Sequence, residues 1–224
     1  MANHVYFTIH IEGIDDELFN KHVKTETKVG KTMLNEEYNY QAISEIEEQP
    51  FMADVDKDFD KDGYLIDSYD WYCNNVGAKW CHIEEIGDGY ISGHSAWRQP
   101  HELVINLLEF YAAEKGCVED DYQPSASMTY EDEFRNFMGK QYYGVSFDFE
   151  AAEAGEVSNL WTAWEGDYTE TDGTELCEQF HDLYPSIKSN EDDFEWDGEY
   201  EVEGEKIYPS EVLDELADDF WSRC

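Results

Sequence analysis

Residues His4–Glu12 alternate, with Val5, Phe7, Ile9 and Ile11 on one side and Tyr6, Thr8 and His10 on the other. A strand with one dry face needs partner strands for its backbone and a covering layer for that face, which points to a sheet with helices packed on it. Gly13 ends the run, and Asp15 or Asp16 can cap a short helix through Val23. Residues 24–70 read as irregular and polar, with a short hairpin or helix around Tyr38 to Ile46. Two strand-like runs follow at 78–85 and 89–97, joined by Ile86, Gly87 and Asp88, a hairpin signal. After Pro100, Leu103, Val104, Leu107, Leu108 and Tyr111 recur at helical spacing until Gly116 supplies a C-cap. Residues 117–122, 126–131 and 141–149 read as further strands, and Val5, Phe7, Ile9, Leu103, Leu107 and Trp97 are expected in one core.

Beyond residue 149 the composition shifts. Residues 150–224 hold 24 acidic and 3 basic side chains, net −21, against −19 for residues 1–149. The segment also carries Trp161, Trp164, Phe180, Tyr184, Trp196, Tyr200, Phe220 and Trp221, too many aromatics for a purely solvated tail. Leu176 to Leu183 suits a helix, and 199–203 with 206–208 suits a strand or a hairpin around Gly204. Ser210 is expected to cap a final amphipathic helix carrying Val212, Leu213, Leu216 and Phe220.

Over all 224 residues, 54 acidic side chains face 14 basic ones, a net charge of −40. Binding to a phosphate backbone is excluded, since no concentrated basic patch opposes that field. Salt adaptation, which favours arginine over lysine, fits poorly with 11 Lys against 3 Arg. The first residues have no basic and apolar leader pattern, and no window approaches about 18 consecutive apolar residues. Cys73, Cys81, Cys117, Cys177 and Cys224 are an odd set without a CxxC pair, which suits a reducing cytoplasm.

Three stretches, in order, resemble a known family. Asp70-Trp71 with Asn74-Asn75-Val76-Gly77-Ala78-Lys79-Trp80 is similar to its Trp-x-x-x-Asn-Trp-Gly-Thr-Lys-Trp run. Ser95-Ala96-Trp97-Arg98-Gln99-Pro100 resembles its Thr-Ala-Trp-Ser-Pro-Pro turn, and Tyr130-Glu131-Asp132-Glu133 with Phe137-Met138-Gly139 resembles its closing motifs. The family is the YubB-type ferredoxin-like domain of phage and plasmid proteins. Val76 and Ala78 depart from its Trp and Thr, and an acidic insertion at about 47–70 precedes the first motif. The resemblance covers about residues 1–149 and implies an α+β fold there, a ferredoxin-like antiparallel sheet with helices on one face; residues 150–224, on their own composition and patterning, are expected to form an acidic α/β extension. It implies no established activity and no catalytic residues.

The sharpest local motif is Asp58, Asp60 and Asp62 before Gly63 and Leu65, the first ligand positions of an EF-hand loop. Tyr69 stands where the bidentate Glu belongs, so the loop is a weak calcium candidate beside the plainer reading of a solvated acidic turn; no other cofactor is expected. Cys73, Cys81, His82 and His94 lack the paired spacing of zinc sites, and Cys81 and His82 should point to opposite faces of a strand. No GxSxG, HExxH or phosphate-binding glycine loop is present, and the seven His are scattered. A non-enzymatic role is expected, beside the alternative of a catalytic pair assembled from distant positions.

A domain of this length is about 45 Å across, and 45 Å of duplex bears about 26 charges. Spread over about 10,600 Å², −40 gives one charge per roughly 265 Å², against about 110 Å² on duplex DNA. Imitating DNA therefore requires clustering, which residues 150–224 and the acidic insertion supply. The expectation is a phage-type cytoplasmic protein that blocks a basic, nucleic-acid-handling host protein of defence or transcription by DNA mimicry, without binding nucleic acid or membrane itself. The partner-binding candidates are Glu191, Asp192, Asp193, Glu195, Asp197, Glu199 and Glu201. The alternatives are an acidic accessory or structural protein whose charge provides solubility alone, and a calcium-linked binding module.

Overall fold

The computed structural model describes residues 3–33, 37–116, 123–156, 160–187, 195–196 and 198–224. The chain is mixed α+β. It runs β1 (His4–Glu12), α1 (Asp16–Lys21), β2 (Thr25–Lys31), β3 (Glu37–Ile43), α2 (Ser68–Asn75), β4 (Lys79–Gly87), β5 (Tyr90–Ala96) and α3 (His101–Lys115). There follow β6 (Ser125–Asp132), β7 (Phe137–Phe147), α4 (Phe149–Glu153), β8 (Trp161–Asp172), α5 (Gly173–Leu183), β9 (Tyr200–Val202), β10 (Glu205–Ile207) and α6 (Pro209–Arg223). Six strands form one sheet in the order β4-β5-β1-β6-β7-β8, with every neighbouring pair antiparallel.

β1 lies at the centre, and the alternation of its sequence is realised as two faces. Val5, Phe7, Ile9 and Ile11 are buried, and they share a core with Phe19 of α1, Trp71 and Tyr72 of α2, and Leu103, Leu107 and Tyr111 of α3. Asp15 caps α1 by accepting from the Leu18 N–H, 2.8 Å. α3 stops at Gly116, whose φ of 75° is open to a residue without a Cβ. Tyr130 and Tyr143 extend the same core onto β6 and β7.

The opposite face has a helix too. Met138 of β7 packs with Leu176 of α5 and Ala217 and Phe220 of α6, and Lys140 donates to the Cys224 carbonyl, 3.0 Å. Met138 and Lys140 alternate with Phe137 and Gly139, which lie on the Tyr130 side, so α6 covers the second face at the β7 end. β8 pairs with β7 from Phe137↔Asp172 to Phe147↔Trp161, so the sheet takes in residues 161–172, while β9 and β10 pair only with each other.

Several expectations change. Residues 24–70 contain the β2–β3 hairpin, paired from Thr25↔Ile43 to Lys31↔Glu37; its side chains are mostly exposed, so no alternation marks it. Trp97 is not in the core: it is 57% exposed, and Trp80 is 50% exposed, whereas Trp71 is 8% exposed. Trp80 and Trp97 have φ of 46° and 76°, left-handed conformations at which an extended run of backbone is interrupted. The Lys79 ammonium lies 3.6 Å from the centre of the Trp80 ring. Ser210 does not cap α6, which starts on Pro209 after Tyr208 without a side-chain cap. The strand expected at 117–122 lies outside the described residues.

Candidate functional site

Of the seven expected partner-binding residues, Glu191, Asp192, Asp193 and Asp197 lie outside the described residues. Glu195 and Glu201 are exposed. Glu199 is neutralised within its own hairpin: Lys206 Nζ donates to it at 2.8 Å and the Tyr208 hydroxyl at 2.5 Å. Those two donors hold its carboxyl below the usual range.

Among the described residues an acidic array lies on α6. Its inner side buries Ala217 and Phe220, leaving Glu211, Asp214, Glu215, Asp218 and Asp219 exposed. Residues three and four apart are neighbours on a helix, so these five form one continuous stripe. From Glu211 to Asp219 the axial rise is about 12 Å at about 1.5 Å per residue, or one carboxylate per about 3 Å. One DNA strand carries a phosphate per about 3.4 Å. Asp214 pairs with Arg135; among the described residues Glu211, Glu215, Asp218 and Asp219 have no ion pair. The accessible surface is 14,002 Å², one net charge per about 350 Å², roughly a third of the density of duplex DNA. Along the helix axis the carboxylates of the stripe, Asp214 included, follow one another at about the interval of phosphates on a single DNA strand.

Asp58, Asp60 and Asp62 are not gathered around a point. Asp60 Oδ1 accepts from the Asp62 and Tyr64 N–H groups, both at 2.9 Å. Asp58 and Asp60 also form backbone bonds with Ile66 and Tyr64 across the turn. The carboxylate at the middle of the motif is thus a turn cap. Among the described residues no group of three or more His, Cys, Asp or Glu side chains is arranged to hold a metal ion.

Strand register reveals a second feature. On the polar face, Tyr6, His94 and His82 lie in one row across β1, β5 and β4 (Tyr6↔His94, His82↔His94). The His4 ring stacks on His94 with centres 5.0 Å apart and planes 7° from parallel. The His82 ring lies 5.3 Å from that of His94. With Trp80, Ser95 and Ala96, the three histidines line a cleft of about 390 Å³. The reading of the histidines as scattered is therefore corrected; the signal was strand parity joined to hairpin register, not spacing. Cys81 is buried while its neighbour His82 is exposed, the arrangement that strand alternation requires, and burial pushes the Cys81 thiol well up.

No protein-family profile, curated protein or solved structure matches the chain. Among the described residues no helix is long and apolar enough to cross a membrane.

Proposed function

We propose that the chain is a non-enzymatic, phage-type acidic protein that binds and blocks a basic nucleic-acid-handling host protein by imitating a DNA strand, with α6 as the centre of the contact. The observation that carries this reading is the linear charge density of Glu211, Asp214, Glu215, Asp218 and Asp219. A partner's Lys and Arg side chains, spaced to hold successive phosphates, meet carboxylates at nearly the same interval, and charge complementarity steers the encounter. Trp221, half-buried at the end of the stripe, and Trp196, beside α5, add contact area of the kind found in interfaces. The cytoplasm of an infected bacterium is the compartment this activity needs.

The YubB-type, ferredoxin-like assignment belongs to the same proposal. It is supported by the strand order β4-β5-β1-β6 with α1 and α3 as the crossovers, which resembles a βαββαβ sheet. The test is capture of partners from a bacterial lysate followed by elution with duplex DNA. Mimicry requires that DNA displace the partner and that Glu211→Gln/Glu215→Gln/Asp218→Asn abolish capture. Capture that survives both leaves the charge with a solubility role alone.

A further inference from the structure

We infer that His82 and His94 form a binding site for a borderline divalent transition-metal ion, with zinc as its representative. The two residues are direct cross-strand partners on β4 and β5, so their side chains leave the sheet on the same side. Two imidazoles bound to one ion at about 2.0–2.1 Å, with a tetrahedral angle between them, have ring centres about 5 Å apart. The His82 and His94 centres are 5.3 Å apart with planes at 43°.

The His94 ring has a carboxylate hydrogen-bonded at its other nitrogen, and the His82 ring has one nearby at a distance beyond a hydrogen bond. Glu84 Oε1 lies 2.9 Å from His94 Nδ1, and Glu45 Oε2 lies 3.7 Å from His82 Nδ1. Metal-binding histidines characteristically donate Nδ1–H to a carboxylate, which fixes the tautomer with the lone pair on Nε2. Neither Nε2 has a hydrogen-bond partner among the described residues. His4 stacks parallel on His94, so its lone pairs do not aim at the same point. The site is therefore a pair with its remaining positions open to water or to a ligand group.

The backbone here is shaped for this placement. The β4–β5 register shifts between Lys79 and His82 and again between Ile83 and Glu85, and bulges of this kind re-aim side chains. Gly93 permits the first approach, because a Cβ there would stand 2.0 Å from the His82 carbonyl oxygen. The net charge of −40 raises the local concentration of any cation, while the nitrogen donors select a borderline ion over calcium or magnesium.

The experiment is a Zn²⁺ titration of the full chain in excess Mg²⁺, which occupies carboxylates, followed by NMR of the imidazole nitrogens and by calorimetry. Expected are saturation at one Zn²⁺ on this face, with the Nε2 signals of His82 and His94 moving together, and weakening by tenfold or more in His94→Gln, since loss of even an orienting partner costs about 10- to 100-fold at metal sites. His10→Gln, on the same face of β1 but outside the cleft, should leave the affinity unchanged. Zn²⁺ binding without movement of those two signals in the unaltered chain, or unaltered affinity in folded His94→Gln, overturns the proposal.

Discussion

Arg135, in the turn between β6 and β7, binds Asp214 on α6 and also Glu131, whose carboxylate lies 3.2 Å from its Nε. One guanidinium thus ties the outer helix to the sheet and masks one of the five carboxylates of the stripe.

Arg135→Gln is expected to have opposite effects on stability and binding. Both partners are partly exposed, so the loss of stability in urea unfolding should be no more than about 1 kcal/mol. Release of Asp214 should tighten the complex with a basic partner and steepen its salt dependence. Weaker binding at equal stability would show that Asp214 is not part of the contact.

Glu211→Gln/Glu215→Gln/Asp218→Asn should weaken partner binding strongly and flatten its dependence on salt, because charges within a Debye length, about 8 Å at physiological ionic strength, act together. The fold should remain at least as stable, since Glu211 and Glu215, and Asp214 and Asp218, are like charges four apart. Circular dichroism and urea titration check stability; salt-dependent affinity checks the contact.

Trp71 and Trp97 should separate cleanly. Trp71 is buried and donates its indole N–H to the Asp56 carbonyl at 2.8 Å, so Trp71→Ala should cost about 3 kcal/mol or more. Trp97 is largely exposed at φ 76°, and Trp97→Gly should change stability by less than about 1 kcal/mol, lost contact being offset by relief of the left-handed backbone. A large loss in Trp97→Gly would return that side chain to the core.

His101 provides a pH signature. Its Nδ1 meets the Tyr143 hydroxyl at 2.7 Å, and burial holds its pKa below the ordinary 6.5 despite the opposing pull of Glu165. The unfolded chain therefore binds the proton more readily, and stability falls as pH drops below about 6.5, levelling off once the folded form also titrates. Between pH 7.5 and 5.5 the wild type should lose more stability in urea than His101→Gln; equal losses would remove His101 as the cause.

In the acidic turn, Asp60→Ala should lower stability and Asp60→Asn should largely preserve it, because an amide oxygen can still accept from the Asp62 and Tyr64 N–H groups. Calcium calorimetry on the wild type and on Asp58→Asn/Asp60→Asn/Asp62→Asn should give at most weak heats; sub-micromolar binding lost in the variant would establish a calcium loop.

What could be read from sequence follows burial. Val5, Phe7, Ile9 and Ile11, and Leu103 through Tyr111, announce their elements because one face of each is dry. β8 announces nothing: Thr162, Trp164, Glu165 and residues 167–170 are all exposed, so no apolar period survives on an edge strand. The α6 stripe is legible at helical spacing, but in sequence it is diluted among apolar residues, whereas 191–197 holds five carboxylates in seven positions. The His82–His94 pair could not be seen without the register, since residues twelve apart meet only when the hairpin between them is aligned, and two bulges shift that alignment.

Among the described residues β8 also ends the sheet, leaving one side of a twelve-residue strand without a neighbouring strand. Such a border is a template on which a second copy could lay its own β8, the first step of fibre growth. Glu165, Asp167 and Glu170 stand along it, and two copies approaching edge to edge would bring these carboxylates together. The same excess of negative charge thus acts as a kinetic guard against self-assembly, one that weakens when concentrated salt screens the repulsion.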